Sequence, residues 1–305
     1  YRNIISGNGA NGIRHQRGVE DWIIVGNTIG LNGAQTATLP NGGHGVYING
    51  SVTPRTEGTE LDGNVVAGNG GAGLFVQDTS NVDLFGNWFG TNEAETGDFG
   101  NAAEGVYALL VANMTMDDWN VGATASEANV FANNGGDGVR IRDASVGGTI
   151  DGNWVLLNRY WDNGGLALDN EGASTEDGVT IGACTFDDSV GAGAAGMPVI
   201  TGAFVDGTDL LLTGTACALD TVGFWVADPD PTGYGEPRTI LGTGSASAGG
   251  VFDLTLAGVG VTAGEPITAM ALLASTNTSE ASLNVLAEAC DGDGDGDDRA
   301  ECGGG

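Results

Sequence analysis

The chain is 305 residues long and carries 40 acidic side chains against nine basic ones, all arginine, for a formal charge of −31. That surface repels nucleic acid and anionic lipid, which argues against both as partners, and suits high salt or the company of calcium. No run of about 18 apolar residues exists to span a membrane, and no secretory leader is visible.

A phrase recurs through the first 170 residues: Asn, two apolar positions, an Asn/Gly stretch, then Gly followed by alternating apolar residues. It reads Asn3-Ile4-Ile5 to Gly12-Ile13, Asn27-Thr28-Ile29 to Gly45-Val46, and Asn64-Val65-Val66 to Gly73-Leu74. It returns as Asn87-Trp88-Phe89 to Gly105-Val106, Asn129-Val130-Phe131 to Gly138-Val139, and Asn153-Trp154-Val155 to Gly165-Leu166. Unequal repeats of this size built from short strands predict a solenoid over 1–172. Tyr1 falls inside a repeat, and Gly303, Gly304 and Gly305 follow directly on a motif, so both ends read as cut.

Aligned on the Gly, the next position (Ile13, Val46, Leu74, Val106, Val139, Leu166) and the one two further on (His15, Ile48, Val76, Ala108, Ile141, Leu168) point inward, since strand side chains alternate. Only His15 breaks the pattern. A missing upstream coil or a satisfied edge histidine explains it better than a ligand role. The asparagines Asn3, Asn27, Asn64, Asn87, Asn129 and Asn153 form a column whose amides bond up the stack. Longer loops at 31–43 and 91–103 are where a rigid scaffold concentrates binding.

Residues 173–196, rich in Gly and Ala, read as a linker. Seven short alternating segments follow, at 199–205, 209–216, 221–227, 239–246, 250–257, 266–274 and 281–289. Their number and spacing predict an immunoglobulin-like antiparallel sandwich over 197–289, acting as a spacer or stalk. The tail, 290–305, places Asp291, Asp293, Asp295 and Asp297 at alternate positions with Gly between, so several carboxylates can wrap one hard cation. Cys302 stands where a calcium loop ends in Glu, and Glu301 is one residue early. Calcium is the expected cofactor; a solvated acidic linker is the alternative.

The repeats resemble the right-handed parallel β-helix coils of large bacterial secreted and surface proteins, a group that includes pectate-lyase-like folds. The phrases Ile29-Gly30-Leu31-Asn32-Gly33-Ala34-Gln35-Thr36 and Phe89-Gly90-Thr91-Asn92-Glu93-Ala94-Glu95-Thr96 look like that family's long coils. Pro198-Val199-Ile200, Gly233-Tyr234-Gly235-Glu236 and Thr276-Asn277-Thr278-Ser279-Glu280 are similar to the sandwich that follows such coils. The resemblance implies an all-β, secreted or surface protein. In that setting the four cysteines suit disulfides, with Cys184–Cys217 and Cys290–Cys302 favoured as sequence neighbours among three connectivities.

The outward column is Arg14, Tyr47, Phe75, Tyr107, Arg140 and Ala167, beside Gln16, Asn49, Gln77, Leu109, Arg142 and Asp169. Aromatic rings flanked by arginine and amide suit a polysaccharide chain or cell-surface glycan. The same column serves equally as a packing ladder. An adhesive or structural surface protein is the leading reading. A polysaccharide lyase or glycosidase would use Arg140, Arg142, Asp143 and Asp169, with Asp137 nearby and Asp143 and Asp169 expected on adjacent coils. Self-association, by coils stacking end to end into a larger surface assembly, is the third.

Overall fold

A computed structural model describes residues 2–16, 20–50, 57–112, 115–122, 124–145, 147–155, 157–171, 196–228, 233–272 and 278–290. All but residue 196 of the expected linker, and the Asp-rich tail from residue 291 on, with Asp291, Asp293, Asp295, Asp297 and Glu301, fall outside those residues.

The first half is a parallel β-helix with three faces. A short-strand face of six strands runs from Ile4–Ile5 through Thr28–Ile29, Val65–Val66, Trp88–Phe89 and Val130–Ala132 to Arg159–Trp161. A ladder face, also of six, comprises Ile13–Gln16, Val46–Asn49, Leu74–Gln77, Val106–Leu110, Val139–Asp143 and Leu168–Glu171. The third face has five strands: Glu20–Val25, Glu57–Asp62, Ser80–Phe85, Asn120–Val121 and Trp154–Val155. A separate parallel pair, Thr115–Asp117 with Thr149–Asp151, widens the later coils.

The alternation read from the sequence explains the ladder face. Val46, Ile48, Leu74, Val76, Val106, Ala108, Val139, Ile141 and Leu168 are all buried, while the residues between them on the middle strands are half-exposed. Each fully buried aliphatic side chain contributes about 1.5–3 kcal/mol. Inside the short-strand face, Phe89, Phe131 and Tyr160 stack at 5.1 Å between successive ring centroids. His15, at an inward position, is 2 % exposed and stacks on Trp22 at 4.0 Å. It is not the satisfied edge histidine expected, because neither ring nitrogen has a hydrogen-bond partner.

The asparagine column is continuous but has a different last member. Each side chain amide donates to the next carboxamide oxygen, from Asn3 to Asn27 (2.9 Å), Asn27 to Asn64 (3.1 Å), Asn64 to Asn87 (3.0 Å), Asn87 to Asn129 (2.9 Å) and Asn129 to Asn158 (3.0 Å). The steps span 24, 37, 23, 42 and 29 residues, so insertions leave the column undisturbed. Asn153 instead belongs to the third face, where its Oδ1 accepts from Trp119 N at 3.3 Å. The phrase Asn153-Trp154-Val155 imitates a short-face strand, but the 29-residue step to Asn158 fixes the coil.

A second column, not anticipated, runs Asn8, Asn41, Asn69, Asn101, Asn134 and Asn163, with amide contacts of 2.8–2.9 Å. The register of the ladder strands shifts the last coil by two residues from the sequence alignment. Leu168, Asp169, Asn170 and Glu171 lie opposite Val139, Arg140, Ile141 and Arg142, where Leu166, Ala167, Leu168 and Asp169 were expected.

The two long loops are copies of one turn. Gly30 (φ 95°) and Gly90 (φ 88°) open them in the left-handed region, and a Cβ at either would strike the carbonyl oxygen of Ala67 or Ala132 on the next coil. Asn32 and Asn92 then accept from Thr36 N and Thr96 N at 3.0 Å. The loops stack on each other through Asn92 Nδ2 to Gln35 O (3.2 Å), and Leu31 and Phe99 pack with Val65, Ala67 and Trp88 of the short-strand face.

The second half forms two four-stranded sheets. One holds Val199–Asp206, Asp209–Thr215, Val251–Leu256 and Glu288–Ala289; the other holds Thr221–Asp228, Glu236–Ser245, Pro266–Leu272 and Val285–Leu286. All pairings are antiparallel except that of Val199–Asp206 with Glu288–Ala289. Phe224, Phe252, Leu210, Leu212 and Ile267 fill the space between them.

This sandwich is more than a spacer, because it closes the last coil. Trp225 and Met270 join the β-helix core, and Trp225 Nε1 donates to Asn158 O at 2.9 Å. Thr278 Oγ1 accepts from Val155 N (2.8 Å) and Glu280 Oε1 from Asn170 N (2.9 Å). Backbone groups that a further coil would bond are thereby satisfied. Coil-on-coil stacking between molecules is obstructed at this end. Neither Cys217 nor Cys290 is a free thiol, and Cys184 and Cys302 lie outside the described residues.

Candidate functional site

The ladder face brings Tyr47, Phe75 and Tyr107 into direct strand register. Tyr47 and Phe75 stack at 5.4 Å and 4°, and Tyr107 meets Phe75 edge-on at 5.3 Å. Arg14 lies 5.5 Å over the Tyr47 ring and Arg140 5.3 Å over Tyr107, so a cation stands at each end of the row. Such contacts add about 0.5–1.5 kcal/mol each, so the row stabilises itself while all three rings stay half-exposed. Beside it, Asn49 Nδ2 donates to Tyr47 Oη at 3.0 Å, and Gln77 Nε2 donates to Asp78 Oδ2 at 3.0 Å. The long loops pack on the short-strand face and not on this row.

At the sandwich end, the row runs into a carboxylate cluster. Arg140 donates to Glu171 Oε2 through Nε (3.1 Å) and Nη2 (2.7 Å), and to Glu104 Oε1 through Nη1 (3.3 Å). Asp169 Oδ2 is 3.8 Å from Arg140 Nε, and Arg142 Nε is 3.6 Å from Glu171 Oε2. Glu104, Asp169 and Glu171 are 9 %, 6 % and 1 % exposed, so these charges interact with little screening by water.

That crowding holds protons. Burial, followed by the negative charges of Asp137 and Glu171, pushes the Asp169 carboxyl up to about 8 against the pull of Arg140. Asp137 rises to about 6, chiefly by burial, although its Oδ1 accepts from Leu166 N at 2.7 Å. The shared site thus favours the protonated form of both carboxyls, and of Asp169 more than Asp137, so the cluster holds its protons unevenly. Arg140, held by carboxylates on two sides, stays charged and serves as an electrostatic anchor rather than as a base.

The structure thus gathers Arg14, Tyr47, Phe75, Tyr107, Arg140, Arg142 and Asp169 on one face. Asp143 is not brought to Asp169. It is the last residue of the strand Val139–Asp143, one beyond the Arg142–Glu171 pair, and its Oδ1 accepts from Ser145 N at 2.8 Å, while Asp169 faces Arg140. Among the described residues, no three His, Cys, Asp or Glu are placed to hold a metal ion. No helix among them is long and apolar enough to cross a membrane.

Three site residues escaped the sequence reading. His44 stacks 4.8 Å from Phe75, and its Nδ1 accepts from Ala72 N at 3.0 Å. It shares with Glu104 and Asp137 the position just before the strand-opening Gly, a column that an alignment begun at the Gly does not inspect. Glu171 was hidden by the two-residue shift of the last coil.

No protein-family model matches the chain, and no curated protein matches it. It is similar to two solved phage tailspike structures. One is the enzymatically active domain of bacteriophage CBA120 tailspike protein 2, at 10% identity and a TM-score of 0.26, covering 90% of this chain and 57% of that one. The other is full-length tailspike protein 2 from the Escherichia coli O157:H7 bacteriophage CAB120, at 10% identity and TM-score 0.23, covering 88% and 50%. The chain spans about half the length of these proteins. Likeness at this level bears on neither family nor activity.

Proposed function

We propose that this is a secreted or surface protein that holds a polysaccharide chain along its ladder face. The observation that carries this reading is the row of Tyr47, Phe75 and Tyr107, in register and half-exposed, with Arg14 and Arg140 over its end rings. Aromatic faces pack on apolar sugar faces, and the adjoining amides and guanidinium groups bond hydroxyls and carboxylates. Calcium bound by the tail and the disulfides Cys184–Cys217 and Cys290–Cys302 belong to the same extracellular reading. The test is affinity electrophoresis through gels containing bacterial surface polysaccharides. Retardation that Tyr107→Ala and Phe75→Ala abolish, without loss of fold, supports the proposal; equal retardation of wild type and both variants sinks it.

The state of the carboxylate cluster favours a second reading, glycoside hydrolysis at the end of the same row. Protonated Asp169 would give its proton to the glycosidic oxygen as the anomeric carbon–oxygen bond breaks. The Asp137 carboxylate would take a proton from the water whose oxygen bonds that carbon. New reducing ends, lost in Asp169→Asn, are the expected sign. Products absorbing in the ultraviolet would mark a lyase instead, and no product at all would leave a binding protein.

A further inference from the structure

The short-strand face of the β-helix and the sandwich line an open cleft between them. Its volume is about 480 Å3, within the range of small-ligand sites. Trp88 and Arg159 line it from the short-strand face, Ser126 from a coil loop, and Arg238, Thr239 and Ile240 from the sandwich. Arg159 and Arg238 lie 5.7 and 5.4 Å over the ring of Trp161, which packs in turn beside Trp88. Two of the nine basic residues in a chain of charge −31 therefore converge on one cleft from separate halves of the molecule.

Arg238 gives only Nη1, to Asp228 Oδ1 (2.7 Å), with half its side chain in solvent, so the rest of its fork is open to a ligand. Arg159 is held by Glu95 through both of its Nη groups, so it contributes charge to the cleft rather than a free fork. The single exposed pair of Arg238 is worth about 0–1 kcal/mol, so an incoming carboxylate shares that guanidinium at little cost. A guanidinium has five N–H donors and matches a carboxylate in bidentate fashion. Trp88, half-buried, offers an apolar face, and Ser126 and Thr239 offer hydroxyls.

From this geometry we infer a second saccharide site, independent of the ladder face, that takes a sugar bearing an isolated carboxylate: a terminal or sparsely spaced acidic residue on an otherwise neutral glycan. The aromatic wall recognises the ring, and Arg238, with the charge of Arg159 beside it, recognises the carboxylate. The charge of the whole protein disfavours a densely anionic polymer, which its field would repel.

Titration of the full chain, followed by tryptophan fluorescence and calorimetry, tests this with sialyllactose and an aldotriouronic acid against lactose and xylobiose. The expected result is binding of at least one acidic saccharide at submillimolar concentration, at least tenfold tighter than its neutral counterpart. Arg238→Gln should lose at least tenfold, and Arg238→Lys, which keeps the charge but not the fork, should lose several-fold. Arg238 is half-exposed, so both variants should melt with the wild type. Tyr107→Ala should bind as wild type, which separates this site from the ladder face. No binding of either acidic saccharide, equal binding of the neutral ones, or wild-type binding by Arg238→Gln would overturn the inference.

Discussion

Glu236 accepts two hydrogen bonds from Asn163, from the backbone N at 3.1 Å and from Nδ2 at 2.6 Å, and so stands where the next asparagine of the second column would stand. A carboxylate has no N–H to pass on, so the column stops there. The sandwich ends the solenoid by supplying the hydrogen-bond acceptors of an absent coil.

Replacing Glu236 by Ala should leave the backbone N–H of Asn163 and one of its two amide N–H groups without acceptors, the other still donating to Phe131 O at 2.9 Å, and should cost about 2–4 kcal/mol. Glu236→Gln keeps one acceptor oxygen and should recover at least half of that. Chemical denaturation of both variants decides the matter; equal stability of Glu236→Ala and wild type would show that the sandwich is a passive neighbour.

Asn87 is fully buried, and its Oδ1 accepts from both Asn64 N (2.9 Å) and Asn64 Nδ2 (3.0 Å). Its own amide also donates to Leu61 O at 2.8 Å. Asn87→Ala leaves several buried partners unmade, so a loss of about 3 kcal/mol or more is expected. A change below about 1 kcal/mol would mean that water or a shift of the backbone restores the column.

Arg140→Ala removes the one cation that contacts Glu104, Asp169 and Glu171 together. Uncompensated buried carboxylates should cost about 3–5 kcal/mol at neutral pH. Arg142→Ala, whose side chain is 31% exposed, should cost far less. Equal unfolding midpoints for the two variants would contradict the cluster as described.

Two sets of groups give stability opposing dependences on pH. Asp137 and Asp169 have folded pKa values raised to about 6 and about 8, so the folded state binds more protons than the unfolded one between about pH 4 and 8. Stability from this cluster therefore declines as pH rises through that window. Burial lowers the pKa of His15, so its neutral form is favoured in the fold and stability declines as pH falls below about 6.5. In melts taken from pH 4 to 9, Asp169→Asn should make the decline with rising pH shallower, and His15→Leu should make it steeper below about pH 6.5. An unchanged slope in either variant would assign that contribution to other groups.

Much of the scaffold is legible in the chain because strand periodicity is local. Val46 and Ile48 point inward and Tyr47 outward whatever lies on the next coil. The sandwich strands announce themselves similarly: segments expected at 199–205, 209–216 and 221–227 form as Val199–Asp206, Asp209–Thr215 and Thr221–Asp228. The motifs that suggested a sandwich, with Glu236, Thr278 and Glu280, are also the ones that cap the coil, a role with no sequence signal because their partners lie 73, 123 and 110 residues away.

By itself, then, the sequence determined the solenoid, its inward and outward columns and the all-β second half, since each follows from neighbours one or two residues apart. Only the tertiary structure decided that Asp169 faces Arg140, that Glu104, Asp137 and Glu171 join them, and that Arg159 and Arg238 share Trp161. Stacking register is fixed by hydrogen bonds that close across 23 to 42 residues. A single two-residue ambiguity in the last coil exchanges Ala167 for Asp169 and turns an ordinary ladder into a charged site.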